Sequence, residues 1–558
     1  MKKLCGILLL LFSVSLVPAC GNGGIIPGTG TSWSATGPSS AGGIPPMPDT
    51  KKPVTYRIFV RDFGTAPSKE NPVLRKITEL TGVTIDFEFL VGDLDQKMGL
   101  MIAGEDYPDA IFADAQKFVD AGAFIPLEDK LPNYPNLNAL YSPHYKKMTF
   151  DDGHRYLLEL YFSNRPSPIF TNSGAGFFIQ KAVLEEAGYP IPKTLEEYFR
   201  LIEDYRAKHA VIEGVKTIGF EILCDGWRDF CLRNPPQHLM GAGNDGDVFV
   251  DPNTFRASCY QISETAKNYY RKLNEEYGKG IIEAETFTQN YDQYISRLAS
   301  GAVLGFFDQG WDIIPAENIL KADKKFNRTY VSVPISNPGV RDSYLDSPNA
   351  TITGINGIGI TKNCKDPDRL LAFYDWLLRR EVQEYLQWGE EGKDWVRVGL
   401  NGRSLTKERR DLNNDDARRR NLTGITLWNY SPQMMGSYED GTPCGPGDSE
   451  QEYRAALSEY DRKFLNGYGI DFPAQLLSEP VKRPAYYPVW AMPIAEGSAA
   501  SVANTKMVDT CRKYYPRLIL SRPAEFDAMW DIFVQDFKKG NPQPYLDEVD
   551  QLIAKGMK

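Results

Sequence analysis

The sequence predicts an α/β protein built around a parallel sheet. Three observations carry this. Short β-branched or aromatic runs alternate with helical patterns in the order βαβαβ between residues 54 and 121. The connections are long enough for the crossover helices that parallel strands require. The same strand-then-helix alternation resumes from Phe177.

Each element has a local cause. Val54–Val60 is rich in β-branched and aromatic residues, the composition of a strand. In Asn71–Leu80, Pro72 sits near the start, and Val73, Leu74, Ile77 and Leu80 recur at helical spacing. Thr84–Leu90 alternates with period two and predicts a second strand. Asp93 caps a helix running through Ile102, Ala110–Phe112 is a short buried strand, and Ala115–Ala121 returns to helix. Ligands of such sheets bind outside the carboxyl ends of the strands, which places Asp114 well. Further on, Phe177–Ile179, Ile218–Leu223, Val303–Phe307 and Ile358–Thr361 read as strands. Lys181–Ala187, Arg369–Arg379, Phe526–Phe537 and Leu546–Ala554 read as helices. Thr194 with Glu197 three residues on predicts a capping box at the start of another helix.

The whole chain has 558 residues, 24% charged and 42% hydrophobic, an ordinary globular balance. Its net charge of −10 argues against nucleic acid as a partner, which would require a basic face. Tyr outnumbers Phe, 30 to 28, which suits an aromatic surface that is partly wet as well as it suits a core.

The N-terminus reads as an address. Lys2 and Lys3 precede an apolar run, Leu4–Val17, too short to span a bilayer but right for a secretory signal. The run ends in Val17-Pro18-Ala19-Cys20-Gly21, which resembles a bacterial lipobox and implies cleavage before Cys20 and diacylation of its thiol. Residues 21–50 follow, with 17 of 30 positions Gly, Pro or Ser, too little apolar surface to repay ordering. They read as a flexible tether. Six further cysteines remain, at 224, 231, 259, 364, 444 and 511. Export permits disulfides, and Cys224–Cys231 is the nearest pair. The spacings match no zinc site, so no metal is expected.

Several segments in order resemble a known family. Tyr107-Pro108-Asp109-Ala110-Ile111-Phe112 followed by Gly122–Asp129 (GAFIPLED), then Asp152-Gly153-His154-Arg155-Tyr156, are its first motifs. Phe178–Gly188 with Pro192–Tyr198, Gly301–Phe307 with Gly310-Trp311, and Gly389–Trp395 (GEEGKDW) follow. Together they resemble the family 1 extracellular solute-binding lipoproteins of ABC importers. That resemblance implies a two-lobed periplasmic-binding-protein-like fold of type II, with a hinge between lobes that close on a ligand. It also implies a division: a signal peptide 1–19, a lipid-anchored flexible linker 20–51, and a first lobe 52–168. A second lobe follows at 169–308, then the first lobe again at 309–385 on a strand near 303–307 that re-enters it. Residues 386–558 are mainly second lobe and C-terminal helices. The expected partners are a sugar or oligosaccharide, an ABC permease and, through the anchor, the membrane; the protein is expected to be a monomer without cofactor. His209–Lys216 lacks the oxygen ligands of the calcium loop some relatives carry.

A sugar offers apolar faces and a rim of hydroxyls, so its cleft needs flat aromatic rings and planar polar partners. Trp227, Arg228 and Asp229 follow a predicted strand in a polar loop, and Trp311 and Asp312 follow another at the expected lobe crossing. Trp428 and Tyr430 lie in an irregular stretch, and Tyr487 and Trp490 lie between prolines. With Asp114 these are the expected ligand contacts. No HExxH, G-x-S-x-G, phosphate-binding or dinucleotide motif is present, so no catalytic residue is assigned. The alternatives left open are a peptide or other solute carrier, a ligand-presenting sensor subunit and, last, a secreted glycosidase.

Overall fold

The structure is a computed structural model describing residues 44–48, 52–165, 168–345, 352–399 and 402–557. The expected signal peptide, Cys20 and most of the linker lie outside the described residues.

The first lobe follows the predicted βαβαβ order. β1 (Val54–Phe63) lies between β2 (Val83–Leu90) and β3 (Ala110–Phe112), parallel to both. α1 (Pro72–Thr81) starts where Asn71 accepts from the amides of Val73 and Leu74 and Pro72 fixes the first turn. It buries Val73, Ile77 and Thr81 and stops at Gly82, whose φ of 69° suits the left-handed cap. α2 (Leu94–Gly104) is capped by Asp93, and α3 (Ala115–Asp120) follows β3. The strand Gly357–Ile360 returns antiparallel to β3 and to β4 (Leu157–Glu159), closing a five-stranded sheet.

The second lobe has its own four-stranded sheet. Its order is Tyr330–Val333, β6 (Ala175–Gln180), Val303–Gln309, Ile218–Glu221. This corrects the expected crossing. Val303–Gln309 does not re-enter the first lobe; all seven residues are buried, antiparallel to β6 and parallel to Ile218–Glu221. Tyr330–Val333 also pairs with β6, so the chain returns to the first lobe only between Val333 and Gly357.

The C-terminal third divides differently from expectation as well. Asn71 donates to the carbonyls of Arg420 and Thr423, and Tyr430 packs among Phe87, Phe89 and Phe112, so residues near 420–430 belong to the first lobe. From residue 459 the chain joins the second lobe, where Lys181 pairs with Asp461 and Glu185 with Lys463. A 22-residue helix, Ala499–Leu520, not foreseen ahead of the two final helices, buries Met507, Cys511, Tyr515 and Leu518. Among the described residues no helix is long and apolar enough to cross a membrane.

Two crossing segments meet in a parallel pair, β5 (Tyr161–Arg165) with Gln433–Gly436. Beside them the fully buried Glu159 accepts from the Thr353 hydroxyl at 3.1 Å and the Asn356 amide at 3.1 Å, tying a third. Burial raises its carboxyl above the usual range despite those bonds.

Three local expectations also change. Thr194 caps its helix, but Glu197 accepts from the Lys193 amide at 2.7 Å, one residue outside the expected box. The linker was expected to stay flexible to residue 51, yet Met47 is buried and its amide donates to Leu80. Cys224 and Cys231 are free thiols, not a disulfide; Cys231 is buried and its Sγ donates to Asp308 at 3.2 Å.

Candidate functional site

Two loops at strand ends of the second lobe build an aromatic platform. Beyond Ile218–Glu221 the chain makes a tight turn, Gly226–Asp229, starting from a positive φ of 56° that favours glycine. Beyond Val303–Gln309 it enters Gly310-Trp311-Asp312. The Gly310 amide donates to the Gly174 carbonyl and the Trp311 amide to the Ser173 carbonyl. A side chain at 310 would put its Cβ 2.1 Å from the Asn172 carbonyl oxygen, so the close approach depends on glycine.

These turns set Trp227 and Trp311 near-parallel, with ring centroids 6.0 Å apart and planes 15° apart. Both stay partly in solvent, at 38% and 43% exposure, unlike most large apolar residues nearby. Behind Trp227 the Arg228 guanidinium is sandwiched, 4.4 Å from the indole and 4.0 Å from the Tyr291 ring. Its Nε donates to both oxygens of Asp312, at 3.0 and 3.1 Å, and the Tyr291 hydroxyl donates to the Asp312 carbonyl at 2.7 Å. Arg228 and Asp312 were expected to touch ligand. Both are buried and paired with each other, so their role in this structure is to fix the platform. Burial raises the Asp312 carboxyl despite Arg228.

One turn deeper lies Asp308, fully buried. Cys231 Sγ and the Gln309 amide donate to its Oδ1, and the Tyr294 hydroxyl lies 2.8 Å from its Oδ2. Burial first, and then the neighbouring Asp312, push this carboxyl up to about 8.

The first lobe contributes a facing wall. At the carboxyl end of β1, Asp62 accepts from the Tyr430 hydroxyl at 2.9 Å. The Arg61 guanidinium lies 4.9 Å over the Phe112 ring, and its buried Nε has no hydrogen-bond partner. The buried Trp428 Nε1 is likewise unsatisfied. The Asp62 charge acts on both Arg228 and Asp312, so the two lobes approach one another at this point. Asp114 is half-buried at the start of α3 and makes no capping bond with its side chain.

Three expected contacts sit apart from this cleft or serve packing. Asp229 is buried between Arg233, 2.8 and 3.0 Å away, and Arg512 at 2.6 Å, so it ties the turn to the 22-residue helix. Tyr487 is a core residue whose hydroxyl donates to the Gly243 carbonyl at 2.8 Å. Trp490 is exposed but packs on Gly246.

Sequence reasoning missed Arg61, Asp62, Tyr291 and Asp308. The first two carried a readable signal: they end the first strand of a parallel sheet, as Asp114 follows the third. Tyr291 and Asp308 depend on tertiary contact. A depression of about 620 Å³ over Gln289, Asn290, Asp292 and Arg297 has no aromatic lining and offers nothing to a ring face.

The profile described as bacterial extracellular solute-binding protein matches residues 73–389, more than half of the chain. The chain is 28% identical over 272 residues to the fructooligosaccharide ABC transporter substrate-binding protein FusA of Streptococcus pneumoniae. That alignment spans 44% of this chain and 48% of the relative, about half the length of each. Solved structures show the same fold. FusA in complex with kestose superposes with a TM-score of 0.62 at 18% identity, covering 90% of this chain and 99% of that one. A solute-binding protein from Bifidobacterium longum infantis, described as binding HMO, gives 0.62 at 16%, covering 91% and 100%. The alginate-binding protein AlgQ2 gives 0.60 at 16%, covering 90% and 98%.

Proposed function

Because the chain belongs to the bacterial extracellular solute-binding proteins, we propose that it captures a carbohydrate, an oligosaccharide, between its lobes and delivers it to an ABC importer. The observation that carries this reading is the Trp227–Trp311 platform. Two near-parallel indoles at a strand-end loop, left partly in water and braced from behind by Arg228, have the form of a surface waiting for an apolar ring face.

The facing wall supplies what a sugar rim requires. The Asp62 carboxylate accepts hydrogen bonds from hydroxyl groups, as it does from Tyr430. Groups from both lobes then bind one molecule. A ligand that touches both lobes binds the closed arrangement more tightly than the open one and shifts the population toward it. The paired crossing strands and the Glu159-bound segment are where that closure bends.

The mature protein, in this reading, is a monomer held on the extracytoplasmic face of the membrane by acyl groups on Cys20, with no catalytic step. A thermal-shift screen of residues 44–558 against neutral and acidic oligosaccharides and peptides tests the ligand class, since a tight ligand raises the melting temperature by mass action. Stabilisation by peptides alone would overturn it.

A further inference from the structure

The last residues of the tether are docked, and the place they dock selects a side of the molecule. The Met47 side chain is buried at 6% exposure, and its amide donates to the Leu80 carbonyl at 2.8 Å. Leu80 is in the last turn of α1, where carbonyls lack helical partners, so the tether satisfies one of them. Two residues earlier, the Pro45 carbonyl accepts from Trp376 Nε1 at 3.0 Å, on the helix Pro367–Leu377. Pro45, Pro46 and Pro48 stiffen this stretch by fixing φ. A buried anchor, a backbone bond and a side-chain bond therefore hold five residues against two elements of the first lobe.

We propose that residues 44–48 are a clamp that holds the tether on the first lobe and makes the end of α1 and the helix Pro367–Leu377 the membrane-facing side of the protein. The proposal rests on the reading of Cys20 as the membrane attachment. Between that residue and the clamp the chain has 23 residues, 21–43. An unstructured segment of 23 residues has a root-mean-square reach of about 26 Å. A body of this length has a radius of gyration of about 23 Å and is roughly 60 Å across. The tether is thus shorter than the body it holds, and the clamped face stays nearest the bilayer while the second lobe is free to swing on its hinge.

The test uses the mature chain with a polyhistidine tag in place of residues 1–19, held on phosphatidylcholine vesicles by a nickel-chelating lipid. This attachment works whether or not cells acylate Cys20, and mass spectrometry of the native N-terminus tests that separately. A fluorescent amino acid at Glu79, beside the clamp, or at Arg522, exposed on the second lobe, serves as donor to a rhodamine lipid. Energy transfer from position 79 is expected to exceed that from 522 at least threefold. Inserting 40 Gly/Ser residues after Pro38 should bring the ratio below 1.5. Equal transfer from both positions, or a ratio indifferent to the insertion, would overturn the orientation. Met47→Asp should raise protease cutting between residues 39 and 52 at least tenfold; an unchanged rate would overturn the clamp.

Discussion

Arg228→Met is the most informative single perturbation of the platform's support. Arg228 and Asp312 are 7% and 2% exposed. At 3.0 Å, with an effective dielectric of about 20, their attraction is about 5–6 kcal/mol, most of it offset by the cost of removing both charges from water. Removing one partner does not return that cost, because Asp312 stays buried and the facing Asp62 already opposes its ionisation. Loss of the charge should therefore cost about 3–5 kcal/mol. Asp312→Asn is milder, about 1–3 kcal/mol, because Arg228 keeps the Trp227 and Tyr291 faces. The double variant should recover most of the loss, giving a coupling of 2 kcal/mol or more in a double-mutant cycle. Urea unfolding of residues 44–558 followed by tryptophan fluorescence measures all four corners. An Arg228→Met variant within 1 kcal/mol of the parent, or strictly additive effects, would mean that Arg228 and Asp312 do not brace the turn as a pair.

Other expectations follow from the same geometry. Gly310→Ala drives a Cβ into the Asn172 carbonyl at 2.1 Å and must shift the 172–174 segment that holds Trp311; a loss of about 1–3 kcal/mol together with weaker ligand binding is expected by calorimetry. Asp308 keeps in the folded state a proton that the unfolded chain releases near pH 4. Stability therefore falls as pH rises from about 4 through about 8, by up to ~1.4 kcal/mol per unit, and Asp308→Asn should flatten that slope in urea titrations across the window. Denatured without reductant, residues 44–558 should titrate with all six thiols, Cys224 and Cys231 included; four would contradict the structure.

The first lobe's sheet was legible because each strand and helix carries its own punctuation. Asn71-Pro72 opens α1, Gly82 closes it, and Asp93 opens α2. Lobe membership was not legible, because a buried strand reads the same in either sheet. Val303–Gln309 is hydrophobic enough for both, and only its register with β6 decides. The helix Ala499–Leu520 escaped notice because its first turns, mostly Ala with single polar residues, carry a weak apolar period, and Pro516 interrupts its pattern. A rule about loops after strands singled out Trp227 and Trp311, which the structure sets near-parallel and partly exposed. The same rule proposed Asp229, which instead meets Arg233 and Arg512, partners at separations of 4 and 283 residues. The Asp229–Arg233 spacing of four is a local signature that the loop rule passed over, whereas pairing with Arg512 has none.

The stacked indoles are proposed as the ligand platform, and one binding comparison decides it. Isothermal titration of residues 44–558 with the oligosaccharide selected by the thermal screen, against a Trp227→Ala/Trp311→Ala double variant, tests it directly. Both rings are about two-fifths exposed, so the variant should fold with its melting temperature little changed. Losing two aromatic anchors of about 2 kcal/mol each should weaken binding by roughly three orders of magnitude. A folded double variant that binds the oligosaccharide with unchanged affinity would show that the indoles are not the platform.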